Sequence, residues 1–110
     1  MYAIPATRYV RLTDVGAGVL LEGGKPLIVQ GMVMSAIADN GEVVLTERDG
    51  TTEILRAYVD TNFGANPTTE YVAPFLADKG IMVFGVSVFG SPGIDPISLD
   101  VTIFYSHVGA

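Results

Sequence analysis

The sequence predicts an all-β domain, an antiparallel β-sandwich of jelly-roll or immunoglobulin-like type with about seven or eight strands. Three observations carry that expectation. Short runs rich in Val, Ile and Thr recur along the chain, separated by turn signals such as Asn40-Gly41, Asp49-Gly50 and Asp78-Lys79-Gly80. Several runs alternate apolar and polar residues with period two, and no stretch carries the 3.6-residue period of a helix. The length of 110 residues leaves room for a single domain with one modest core.

Residues 1–6 read as an N-terminal arm ahead of a single domain over 7–110, with Tyr2 and Ile4 lacking a local element to pack on and Pro5 removing a backbone donor. Thr7 to Leu12 alternates Arg8, Val10 and Leu12 against Tyr9 and Arg11, the pattern of a half-buried strand. A turn at Thr13 to Gly16, a brief apolar run to Leu21 and a second turn at Glu22 to Lys25 follow. Pro26 to Thr52 then reads as two successive hairpins, with Gly31 marking a bulge or bend in the long first strand. A two-residue turn at Asn40-Gly41 pairs Ala38 with Val43, Ile37 with Val44 and Ala36 with Leu45, and sets Asp39 opposite Glu42. Both faces of that hairpin are apolar, so one is expected in the core and the other against a loop of the chain or a neighbouring subunit. The second turn fits either a two-residue Asp49-Gly50 loop or a three-residue loop with Gly50 left-handed.

On the strand after it, Glu53, Leu55, Ala57 and Val59 are expected inside, with Ile54, Arg56 and Tyr58 outside. Asp60 to Thr69 is a Thr-, Asn-, Gly- and Pro-rich loop anchored by Phe63. Glu70 to Leu76 is a short edge strand or irregular connection, with a single helical turn as a further option over Pro74 to Asp78. Ile81 to Phe89 is apolar at nearly every position and is expected to be covered on both faces. A loop stiffened by Pro92 and Pro96 leads to the last strand, Ser98 to His107, with Leu99, Val101, Ile103 and Tyr105 inward and Asp100, Thr102, Phe104 and Ser106 outward.

Composition narrows the function. Twelve acidic against six basic side chains give a net charge of −6, and the basic residues are scattered singly, which argues against nucleic acid as a partner. No stretch matches a signal peptide or a membrane span, so a cytoplasmic site of synthesis and no membrane partner are expected. With no cysteine there is neither a disulfide nor a thiolate metal site. The apolar fraction of 49% against 16% charged residues points to apolar surface hidden against a partner.

No catalytic, cofactor or metal site is expected. His107 is the only histidine, and its neighbour Ser106 points to the opposite face of a strand, so the two do not form a nucleophile and base. Asp39, Glu42, Glu47 and Asp49 cluster near turns but match no calcium loop, and Asp-Asn-Gly and Arg-Asp-Gly are what turns require of the backbone. Gly16-Ala17-Gly18 and Gly23-Gly24 open no helix and therefore lack an anion site. Arg48-Asp49-Gly50 spells an adhesion tripeptide, yet turn geometry already accounts for it. The aromatics are more informative: with Tyr58, Phe63, Tyr71, Phe84 and Phe104 exceeding what one small core holds, some are expected at an interface, together with Tyr2 and Ile4 of the arm.

The segments Leu12-Thr13-Asp14-Val15-Gly16-Ala17-Gly18-Val19-Leu20-Leu21, Val43 to Gly50 with Ile54-Leu55 after it, Gly80 to Val88 and Leu99 to Tyr105 together resemble the small β-sandwich virion proteins of tailed bacteriophages, the capsid decoration or cement class. The resemblance spans most of the chain and lies in strands and turn glycines. It implies a non-enzymatic protein without cofactor, assembled in the host cytoplasm and located in the virion. Its partners would be the major capsid protein and other copies of itself in a homotrimer. A receptor- or carbohydrate-binding module of a phage tail or fibre, stacking ligands on Tyr58, Phe63 or Tyr71, is the alternative.

Overall fold

The computed structural model describes residues 7–36, 40–59, 68–70 and 75–108. The described residues form nine strands: β1 (Arg8–Leu12), β2 (Val19–Leu20), β3 (Leu27–Ala36), β4 (Gly41–Thr46), β5 (Glu53–Val59), β6 (Thr68–Glu70), β7 (Phe75–Ala77), β8 (Met82–Ser87) and β9 (Leu99–His107). All pairings are antiparallel and build two sheets, the first ordered β1-β9-β3-β6 with β7 also on β3, the second β2-β8-β4-β5. The short strands β6 and β7 share one position, β6 beside Met32 to Met34 and β7 beside Leu27 to Val29. Eight positions result, and in chain order the first sheet takes the first, eighth, third and sixth and the second sheet the second, seventh, fourth and fifth. That is the strand order of a jelly roll and not of an immunoglobulin domain.

The sheets meet on their inward residues. Leu27, Val29, Met32 and Met34 of β3 and Leu99, Val101 and Ile103 of β9 face Val43 and Leu45 of β4, Ala57 and Val59 of β5 and Val83 of β8, all buried in one core that Val10, Leu12 and Leu55 flank. The alternation read from β1 and β9 holds for their apolar residues, and Tyr9, Ile54 and Tyr58 are exposed outward. On β5 a register shift between Leu45 and Thr46 places Glu53, expected inside, at the surface against Arg56, and Ser106 of β9, expected outward, is buried. Gly31 marks a bulge as expected: Val29 pairs with Tyr105 and Gly31 with Phe104, leaving Gln30 as the extra residue.

The first expected hairpin does not form. The first half of Pro26 to Thr52 is not a hairpin, because β3 pairs with β9, β6 and β7 while β4 pairs with β5 and β8. The chain changes sheets between β3 and β4. Gly41 does not adopt the left-handed backbone that a two-residue Asn-Gly turn requires, and a Cβ added there would lie 2.8 Å from the Val86 carbonyl oxygen. Its smallness serves contact with β8; Ile37, Ala38 and Asp39 themselves lie outside the described residues, and Glu42, Val43 and Val44, expected opposite them, pair with β5 and β8 instead. The helical option near Pro74 is also set aside, since Phe75–Ala77 is a strand.

The second turn is real and larger than expected. Glu47 N–H donates to the Thr52 carbonyl at 2.9 Å and Gly50 N–H to the Glu47 carbonyl at 3.0 Å, with Gly50 left-handed at φ 76°. Asp49 locks the turn from its side chain, its Oδ1 accepting from the Thr51 and Thr52 N–H groups at 2.9 Å each and its Oδ2 from the Thr52 hydroxyl at 2.6 Å. These bonds to the ionised form, the Thr52 hydroxyl first, hold the Asp49 carboxyl at about 2, against an ordinary 3.8.

The outer face of the second sheet is covered by the chain itself. Val44, Phe84 and Val86 form a second buried cluster with Met82 against it. Phe84, expected at an interface, is only 6% exposed. The reason lies in two turn glycines: a Cβ on Gly18 would sit 2.5 Å from the Phe84 ring, and one on Gly50 3.6 Å from it. Both turns can therefore close over the ring, which answers how the second apolar face of β4 is satisfied.

Candidate functional site

Beyond β8 the backbone makes a tight excursion whose every bend has a partner. Gly90 N–H donates to the Ser87 carbonyl at 2.7 Å, Ile94 and Asp95 N–H to the Ser91 carbonyl at 3.0 and 3.1 Å, and Ser87 N–H to the Asp95 carbonyl at 3.0 Å. The Asp95 carboxylate accepts from Ser91 N–H at 3.0 Å, and Pro96 bridges back to Val86. Held at the tip is Phe89, a non-glycine residue at φ 60° whose side chain is 92% exposed. Ile94, across the same loop, is 76% exposed.

The left-handed backbone of Phe89 is secured from beneath. Glu42, on the outer face of β4 and only 7% exposed, accepts the Phe89 N–H at 2.6 Å and the Arg56 guanidinium at 2.9 Å through the same Oε1. Arg56 also donates to the Gly90 carbonyl at 3.1 Å and, through Nε and Nη2, to Glu53 at 2.9 and 2.7 Å. Those bonds, Glu53 foremost, raise the Arg56 pKa, so the cation persists at any working pH. Tyr58, opposite Glu42 in register and exposed on its other side, extends the apolar rim of this patch.

A strained residue that is fully solvent-facing has no reason to be a phenylalanine on folding grounds. The left-handed region disfavours it and burial does not reward it. Such combinations occur where the side chain meets something else.

A second surface lies on the outer face of the first sheet. Tyr9, 71% exposed, packs its ring 6.3 Å from that of Phe104 across the β1–β9 register. Phe104 in turn sits opposite Gly31 in the β3–β9 register. Arg11 and Asp100 flank the pair with a two-pronged ion pair at 2.6 to 3.2 Å, which lowers the Asp100 pKa and raises that of Arg11.

At the far end of the second sheet from Phe89, a cleft of about 170 Å³ opens between the edges of β5 and β7, lined by Glu47, Ile54, Leu76, Ala77, Asp78, Lys79 and Gly80. Its apolar walls, Ile54 and Leu76, are 40% and 62% exposed. A broader, shallower depression is lined by Asp14, Gly16, Ala17, Gly93, Pro96, Ile97 and Ser98.

His107 has structural company. Its Nε2 lies 3.8 Å from Glu22, its ring stands edge-on to Tyr105 at 5.7 Å, and the Tyr105 hydroxyl donates to Glu22. The hydroxyl's bond lowers the Glu22 pKa, and burial raises that of Tyr105. Ser106, on the other face, receives a hydrogen bond from Gln30 Nε2 at 3.1 Å, so it and His107 are separated as strand alternation requires. The Asp49 carboxylate of the Arg-Asp-Gly turn is taken up by its own backbone.

Of the aromatic and apolar residues expected at an interface, the structure exposes Tyr58, half-buries Phe104 on an outward face and buries Phe84, while Tyr2, Ile4, Phe63 and Tyr71 lie outside the described residues. Sequence reasoning passed over Phe89, Ile94, Tyr9 and Leu76. For Phe89 and Ile94 a signal existed, two large apolar residues bracketing Gly90-Ser91-Pro92-Gly93 where a loop has no core to enter. Among the described residues no helix is long and apolar enough to cross a membrane. No protein-family model, curated protein or solved structure matches the chain.

Proposed function

We propose that this chain is a non-enzymatic structural protein of a tailed-phage virion, a decoration or cement protein that assembles as a homotrimer and stabilises the head by bridging major capsid protein subunits. The observation that carries the reading is Phe89: a buried carboxylate and an arginine hold its backbone in a conformation phenylalanine disfavours, with the ring almost wholly in solvent. A preformed apolar contact of this kind serves association, because its ordering cost is met before the partner arrives. The jelly-roll order is compatible, since the architecture recurs in capsid domains, though a fold alone does not assign a role.

On this proposal the Tyr9 and Phe104 face of the first sheet docks on the shell, with residues 1–6 as a further contact. Stabilisation follows by mass action, because a ligand of the assembled lattice shifts the equilibrium toward it. Quantitative mass spectrometry of purified phage particles tests it: the chain should appear in fixed ratio to the major capsid protein, and its absence from particles overturns the proposal. A carbohydrate-binding module of a tail or fibre is the second reading, favoured by Tyr58 and Phe89 flanking Arg56 and Glu53 as a stacking platform with polar partners. A glycan array yielding a ligand lost in Tyr58→Ala would select it.

A further inference from the structure

The Phe89 loop and the Ile54–Leu76 cleft lie at opposite ends of the second sheet. In the β4–β8 register Gly41 lies opposite Ser87 and Thr46 opposite Met82. Phe89 follows Ser87 at one end of this sheet. Glu47 follows Thr46 at the other end, and Ile54 follows Glu53, the partner of Thr46. The two ends of β4 are separated by roughly 17 Å at ~3.4 Å per residue, so the ring cannot fold back into its own cleft.

We infer that copies of this chain associate head to tail, the Phe89 ring of one entering the cleft between Ile54 and Leu76 of the next. The inference rests on the assembly reading above and names the partner of its principal surface as a second copy. Three features of the surface carry it. A cleft of about 170 Å³ is close to the ~150 Å³ of a cavity that holds benzene, the scale of an aromatic side chain. Its two apolar walls are exposed, as is the knob, so the junction removes from water side chains that are 92%, 76%, 62% and 40% exposed on Phe89, Ile94, Leu76 and Ile54. The knob is rigid, held by Glu42 and by the loop's own hydrogen bonds, so little conformational freedom is lost on insertion.

A contact between different patches of identical chains is heterologous, and it closes into a ring when the rotation per step allows. Four apolar side chains bury far less than the ~1,200 Å² at which standard specific interfaces begin, so each junction is small and weak. Association is therefore expected only toward the top of the concentration range below, with ring closure adding to each contact. The contact also leaves the Tyr9 and Phe104 face on the other sheet free for the shell.

Sedimentation velocity and light scattering of the full chain over about 1 to 500 μM test the inference, with Phe89→Ser removing the knob and Leu76→Glu the wall. Both positions are exposed, and unchanged circular dichroism and melting confirm that each variant folds. The wild type should associate, each variant alone should remain monomeric, and an equimolar mixture of the two variants should form a dimer, because one intact knob still meets one intact cleft. A wild type monomeric throughout, association undiminished by Phe89→Ser, or a mixture that stays monomeric would overturn it. A monomer found at fixed ratio in particles removes this inference and leaves the virion reading standing; head-to-tail association of a chain absent from particles does the reverse.

Discussion

Replacing Phe89 by asparagine should make the isolated chain more stable. A phenylalanine at φ 60° carries a left-handed penalty of about 1 to 2 kcal/mol, much of which asparagine avoids by tolerating that region. Against this stands the lost burial of the ring. With 92% of the side chain in water, less than a tenth of a full transfer energy of ~2 to 3 kcal/mol is forfeited, roughly 0.2 kcal/mol. The backbone donation to Glu42 is retained, since any residue but proline supplies that N–H. The net expectation is a gain of about 0.5 to 1 kcal/mol. In urea at a slope of ~1 to 2 kcal/mol/M the midpoint should rise by about half a molar, read by far-ultraviolet circular dichroism at a concentration low enough to keep the chain monomeric. A variant destabilised by more than about 0.5 kcal/mol would show that the ring contributes to folding, and the argument that it is held outward for a partner would fail.

Three further expectations test the covered face, the hairpin and the histidine cluster. Phe84→Ala should cost about 3 to 4 kcal/mol in the monomer, because the ring is 6% exposed beneath Gly18 and Gly50, whereas Phe104→Ala should cost less than half as much; equal costs would contradict the assignment of Phe84 to the folded core. Asp49 has a folded pKa of about 2 against an ordinary 3.8, so its stabilisation is complete above about 4 and lost as the pH falls toward 2. The melting-temperature gap between wild type and Asp49→Ala should narrow over that window, and a gap constant with pH would refute the role of the ionised carboxylate. Tyr105→Phe removes the hydroxyl that holds the Glu22 pKa down, so an NMR titration should find the Glu22 carboxyl shifted upward, with stability at neutral pH lower by about 1 kcal/mol. An unmoved Glu22 titration would mean that the bond does not form in solution.

What the sequence made legible follows from what is local. Alternation in β9, and in β5 from Leu55 onward, assigned their faces because period two is a property of the strand itself, whereas the register shift that puts Glu53 outside has no local signal. Gly31 announced the bulge for the same reason: a residue without a side chain weakens a regular ladder wherever the strand happens to sit. The turn at Asp49-Gly50 was evident because its side-chain bonds span only three residues.

Pairing partners were not local. An Asn-Gly between two apolar runs is the strongest short-range hairpin signal, yet β3 and β4 are central strands of different sheets, and their apolar faces are equally consistent with either arrangement. The placement of Phe84 required knowing that Gly18, 66 positions earlier in the chain, would arrive against its ring. Likewise, Phe89 looked like the end of a buried run, and nothing in the sequence indicates that a carboxylate on β4 turns it outward.

The central claim is that the outward apolar side chains of this jelly roll are contacts between subunits. Native mass spectrometry of the wild-type chain addresses it most directly. The account predicts a small closed oligomer of fixed mass, reverting to monomer in Phe89→Ser. A chain that stays monomeric at every concentration, or an oligomer indifferent to that substitution, would contradict it.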